Sequence, residues 1–181
     1  MNQIQTVNAL AYRAAELRQA FDRSFAKAPR DEEAPTEAFL SIDAADDPYA
    51  LRLAEISGLF VDKKVTPLPS GAPDLLGLAS FRGVLVPIYD LRVLLGYPAG
   101  PRPRWLVLTT PKMPVGLAFD RFDGYLDISR EAVAPEARPH GRRPYVNEIV
   151  RVADSVRAVI HLPAVLEAIT NRASSSPAQK E

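Results

Sequence analysis

Thr66 to Gly96 reads TPLPSGAPDLLGLASFRGVLVPIYDLRVLLG, and the fold turns on how this stretch is read. Its first residues, through Pro73, hold three Pro and one Gly and must be extended loop and turn. Two apolar runs follow, Leu75 to Phe81 and Val84 to Tyr89, separated by Arg82-Gly83. Short apolar runs bounded by turn residues predict consecutive strands. Gly83 suits a tight turn that needs φ > 0. In the second run Val84, Val86 and Ile88 point one way, and Leu85, Pro87 and Tyr89 the other. Both faces are apolar, so the strand is covered on both sides, or on one side by a partner. Pro87 has no N–H to give and is expected at an edge or bulge. Asp90 can cap a short helix that Gly96 closes, and Pro98 prevents its continuation. Leu91, Leu94 and Leu95 make the inward face of that helix, Arg92 its flank, and Val93 lies nearly opposite. An outward Val beside an Arg is a plausible contact point, although single surface Val residues are common. Nothing in the stretch suits bond-making chemistry, which favours a binding module over an enzyme.

Composition narrows the classes further. A chain of 181 residues makes about one domain, or two small lobes, and can bury a real core without staples. Apolar residues are 47% of it, which excludes disordered and fibrous classes. Basic and acidic residues number 22 each, so no general attraction to nucleic acid or an anionic membrane is expected. Cys is absent, which removes disulfides, thiolate catalysis and Cys-based metal sites together. The first residues, MNQIQTVNAL, lack the pattern of a secretory signal, and no apolar run approaches a membrane helix. The expectation is a soluble cytoplasmic protein without direct membrane insertion. Seventeen Pro spread along the chain argue for many short elements separated by turns, as in all-β folds.

Outward from the central stretch, residues 1–37 divide into a helix and a linker. Val7, Leu10, Ala11, Ala14, Leu17, Phe21 and Phe25 share one face of a helix over Thr6–Phe25. Leu10, Leu17, Phe21 and Phe25 are its candidate docking residues, for its own domain or for a partner groove. Lys27 to Glu37 is a charged linker with two Pro. The compact domain is expected over residues 38–170, with two subdomains meeting near residues 97–104. Strands are expected at Ala38–Ile42, within Tyr49–Val61, and at Trp105–Thr109, Val115–Phe119, Arg121–Ile128, Tyr145–Val152 and Ser155–Ile160, with a bulge near Gly124. Ala134 to Pro144 reads as a basic loop. Leu162, Val165, Leu166 and Ile169 share a closing helical face, and residues 171–181 read as a disordered tail.

Catalytic constellations are missing: there is no G-x-S-x-G, no P-loop and no G-x-G-x-x-G. The two His, His140 and His161, stand far apart without Cys, so neither metal nor other cofactor is expected.

The motifs of the central stretch nevertheless resemble a known family. Gly77, Arg82, Gly83, Pro87, Asp90, Leu91 and Gly96 fill, in order, the signature of the CheW family, the coupling proteins of bacterial chemosensory arrays. GLAFDRFDGY, Gly116 to Tyr125, is similar to a second family segment, with Asp120 in its Asp position. The resemblance implies a mainly β fold of two SH3-like five-stranded β-barrel subdomains sharing a hydrophobic seam, with short helices, here preceded by the N-terminal amphipathic helix. It implies no catalytic activity and two partners: a CheA-type histidine kinase and the cytoplasmic tip of chemoreceptors, with recruitment to membrane-associated arrays. It places Arg82, Gly83, Asp90, Leu91, Arg92 and Val93 in the kinase-contact region. Arg92 and Val93 are the expected contacts, and Arg92→Glu is expected to weaken kinase binding while leaving the fold intact. Departures occur near Glu148, where family members often carry a Gly, and at His161, where they often carry an Asp. The second reading is a stand-alone or inhibitory module that binds one partner only, its N-terminal helix occupying the seam.

Overall fold

Strands alternate sides, so a strand with two apolar faces can serve two cores at once. The architecture uses that property throughout. A computed structural model describes residues 35–69, 71–110, 114–136, 144–152 and 155–175. Met1–Pro35 and Thr36–Glu181 are separate units. The expected helix Thr6–Phe25, with Leu10, Leu17, Phe21 and Phe25, lies outside the described residues.

The second unit begins with strands β1 (Thr36–Ala44) and β2 (Asp47–Arg52), followed by a 3-10 turn at Leu53–Glu55. Then come β3 (Ile56–Val61), β4 (Leu75–Phe81), β5 (Val84–Asp90), the short helix α1 (Leu91–Leu94), β6 (Trp105–Thr109) and β7 (Gly116–Phe119). The chain continues as β8 (Arg121–Ser129), a 3-10 turn at Arg130–Ala132, β9 (Val133–Pro135), β10 (Val146–Val152), β11 (Ser155–Ile160) and helix α2 (Leu162–Ser175). One sheet has the order β8-β1-β2-β11-β10-β9 and the other β3-β6-β7-β5-β4. The fold is therefore mainly β with two sheets and short helices, as expected, although the first sheet gains a sixth strand from β9.

Each sheet curls around a small core of its own. Phe39, Ala50, Ile128, Val150 and Val159 fill the first. Val65, Ala79, Phe81, Val86, Ile88, Leu106, Leu108 and Ala118 fill the second. The opposite faces meet in a larger shared core, where Leu40, Ile42 and Ile160 of one sheet join Val107, Leu117 and Phe119 of the other, with Leu91 and Leu94 of α1 and Leu162 and Val165 of α2. Burying a side chain of this size stabilises by about 1.5–3 kcal/mol, so the seam is a main source of cohesion.

Three boundaries differ from expectation. The chain passes between sheets at Leu53–Glu55 and again at Asp120, and residues 97–104 lie inside the stretch belonging to the second sheet. Composition suggested a junction there because Pro and Gly mark breaks, but a break in chain direction is not a change of sheet. Helix α2 runs on through Ser175, into the stretch read as tail. The start of the expected basic loop is the strand β9, paired with β10. Pro87 also sits in an inner strand: β5 lies between β4 and β7, and its pairing with β7 begins only at Ile88. Its missing N–H thus costs no ladder bond.

Candidate partner-binding surfaces

The central hairpin is built by its turn. Arg82 and Gly83, at φ 50° and 84°, are both left-handed, the geometry of a two-residue hairpin loop whose twist matches its strands. Gly83 thus sits in the turn expected of it. Behind the turn, Val86 and Ile88 are buried, while Val84 and Leu85 at its mouth are 55% and 66% exposed. The strand with two apolar faces is covered near α1 and bare near the turn. A hollow of about 470 Å³ lies alongside, lined by Lys63, Lys64, Thr66, Leu78, Ala79, Ser80 and Leu85.

At the other end of β5, Asp90 caps α1 by accepting from the Arg92 N–H at 3.0 Å, and Gly96 follows at φ 88°. The expected cap and stop are both in place. Arg92, however, is not on an outward flank. It is 5% exposed, and its Nε and Nη2 donate to the Asp90 carboxylate at 3.3 and 3.1 Å. Nη2 also donates to the Pro101 carbonyl at 2.5 Å, and Nη1 pairs with Asp120 at 3.1 Å. Asp120 in turn accepts from the Ala45 N–H at 2.8 Å. One guanidinium therefore ties α1 to the Pro101 loop and, through Asp120, to the β1–β2 turn. Burial pulls the Arg92 pKa down, but hydrogen bonding to Asp90 and the Asp90 and Asp120 charges outweigh it and hold the pKa above its ordinary value. Asp90 and Leu91 are buried as well, and Val93 is half-buried. Of the six residues in the expected contact region, only Arg82 and Gly83 are exposed. Arg92→Glu would bring a third carboxylate into this buried site, so the burial argues against an intact fold in that variant.

A second apolar surface crosses the seam. Trp105 of β6 lies 5.2 Å from Phe122 of β8, centroid to centroid, and Phe122 lies 5.4 Å from Tyr125, which is 62% exposed. Val61, opposite Trp105 in register, is 48% exposed. Trp105 and Phe122 lean on the shared core, so the row is anchored on its inner side. Sequence reading missed this row because Trp105 and Phe122 belong to different sheets. Val84 and Leu85 carried a usable signal, since they follow a two-residue turn directly.

The crossover at Leu53–Glu55 has its own polar fastening. The Glu55 carbonyl accepts from the Thr110 N–H at 3.0 Å. Arg52 Nε and Nη2 pair with Glu37 at 2.7 Å and Glu148 at 2.5 Å. Burial raises the Glu55 pKa, against the opposing charges of Arg52 and His161 and a hydrogen bond from the Leu162 backbone at the head of α2. Glu55 Oε2 and His161 Nδ1 are buried without hydrogen-bond partners. Glu148 and His161, the two departures from the family pattern, thus both belong to this cluster.

No group of three or more His, Cys, Asp or Glu among the described residues could hold a metal ion. No helix among them is long and apolar enough to cross a membrane.

Comparison with known proteins places this architecture. No curated protein matches the sequence. The crystal structure of the scaffolding protein TtCheW from Thermoanaerobacter tengcongensis is similar, with a TM-score of 0.64 over 70% of this chain and 89% of that one, at 17% identity. At that identity the likeness speaks for the fold. The family model of the CheW-like domain matches residues 38–170, which span both sheets and the start of α2, and the chain belongs to that family.

Proposed function

We propose that the protein is a non-enzymatic adaptor, cytoplasmic and recruited to membrane-associated receptor arrays, that couples a CheA-type histidine kinase to the cytoplasmic tip of chemoreceptors. Membership of the CheW-like family supports the class. The observation that carries the two-partner reading is the pair of apolar surfaces built from different elements: the exposed hairpin mouth at Val84 and Leu85, and the aromatic row of half-buried Trp105 and Phe122 with exposed Tyr125. Exposed apolar groups held on rigid strands suit protein partners, because binding buries them without ordering new chain.

In this reading the kinase meets Arg82, Gly83, Val84, Leu85 and the half-buried Val93, and the receptor tip lies on the aromatic row. Asp90, Leu91 and Arg92 shape the kinase surface from beneath. Leu85→Asp should lower affinity for the kinase regulatory domain about tenfold or more and leave receptor binding unchanged. Tyr125→Ala should do the reverse. Both side chains are mostly exposed, so thermal unfolding should barely move. Titration of each variant with each partner is the test. If both variants bind both partners like the parent protein, the assignment of surfaces is wrong.

A further inference from the structure

Between Asp62–Val65, at the end of β3, and Arg102–Arg104, before β6, lies a hollow of about 280 Å³ lined by Asp62, Lys63, Lys64, Val65, Arg102, Pro103 and Arg104. Four cationic side chains and one carboxylate converge there in a chain whose net charge is +0. The one carboxylate is already engaged: Arg104 Nε and Nη2 donate to the two Asp62 oxygens at 2.8 and 2.6 Å. The Asp62 N–H donates to the Arg104 carbonyl at 2.8 Å, so the two walls are joined at backbone and side chain. Arg102 Nη2 donates to the Val65 carbonyl at 2.7 Å, which fixes the guanidinium and leaves its other N–H groups available. Lys63 is held over the Phe81 ring, 4.6 Å from its centroid. Among the described residues no carboxylate pairs with Lys63, Lys64 or Arg102.

We propose that this hollow is a binding site for a phosphate-class anion. A fixed guanidinium beside two ammonium groups matches a multiply charged tetrahedral oxyanion better than a single carboxylate, which would leave much of the positive charge uncompensated. The volume is small by the standard of organic-ligand pockets and accommodates a phosphate or diphosphate group rather than a whole cofactor. The phosphate is carried by a soluble molecule or by an anionic lipid headgroup; the chemistry of recognition is the same.

The test follows backbone amide resonances of the full chain. Inorganic pyrophosphate should shift Lys63, Lys64, Val65, Arg102 and Arg104 in a saturable way. Lys64→Glu, at an exposed position, should weaken that binding about tenfold or more. Arg151→Glu, an equal charge change at an exposed position of β10, should not. Co-sedimentation with vesicles of phosphatidylglycerol in phosphatidylcholine, lost in Lys64→Glu, without a pyrophosphate response, assigns the lipid source. Silence in both arms overturns the site. So does an equal loss in Lys64→Glu and Arg151→Glu, which would mark a diffuse field instead of a pocket.

Discussion

Arg82 and Arg92 look alike in the sequence, each beside an apolar strand and each in the expected contact region. Their surroundings give them opposite work. Arg82 occupies an exposed turn, whereas Arg92 is buried against Asp90 and Asp120. Removing one partner of a buried charge group is costly because the others remain desolvated. Arg92→Ala should therefore cost about 3–5 kcal/mol in chemical denaturation, even though a surface Arg would cost almost nothing. A loss below about 1 kcal/mol would show that the network is not structural. Glu55 supplies a pH signature. Its folded-state pKa stands above the usual 4.5, chiefly through burial. The folded chain then holds that proton more tightly than the unfolded chain. The resulting stability is fully present below the ordinary Glu value and is lost as pH rises through the raised one. Glu55→Gln should remove this part of the decline, read from urea midpoints between about pH 4 and 7. An unchanged pH slope would contradict the assignment.

At the scale of elements, much was legible because the signals were local. The turn at Arg82-Gly83, the Asp90 cap and the Gly96 stop are adjacent in sequence to what they control, and each is found where expected. The irregular register opposite Ser41 and Ile42 leaves Asp123 without a register partner in β1, beside Gly124 and near the expected bulge. What stayed hidden depends on distant partners. Nothing near Arg92 announces that Asp120 will face it, and nothing near residues 97–104 announces that β6 continues the second sheet. The parallel pairs β2–β11 and β5–β7 join segments far apart in the chain and carry no turn signal. Gly77 shows how a family-motif residue becomes physical. It sits at φ 138° beside the Thr66–Leu78 bridge, and a Cβ there would meet the Thr66 carbonyl oxygen at 2.1 Å. Because the obstacle is backbone, Gly77→Ala should destabilise by at least about 1–3 kcal/mol. It should also loosen the Thr66 edge pairing, visible as faster amide exchange at Thr66 and Leu78. Unaltered stability and exchange would refute that account of Gly77.

At the scale of the molecule, the two sheets are not beads on a string. The N-terminal strands β1 and β2 close a sheet with β8 to β11, so the second sheet is inserted between them in the chain. The shared core, the Arg92–Asp120 pair and the Glu55 cluster fasten both crossings. Such a body has few ways to flex, which suits the proposed role of holding two other proteins at a fixed relation. The one-partner reading allows a complex with the kinase or with the receptor tip, never with both. The direct measurement is assembly of the full chain with the kinase regulatory domain and a receptor-tip fragment, followed by size-exclusion chromatography with light scattering. The adaptor account predicts a single species containing all three proteins, lost to the kinase arm in Leu85→Asp and to the receptor arm in Tyr125→Ala. Two binary complexes that displace one another, with no ternary species at saturating concentrations, would contradict it.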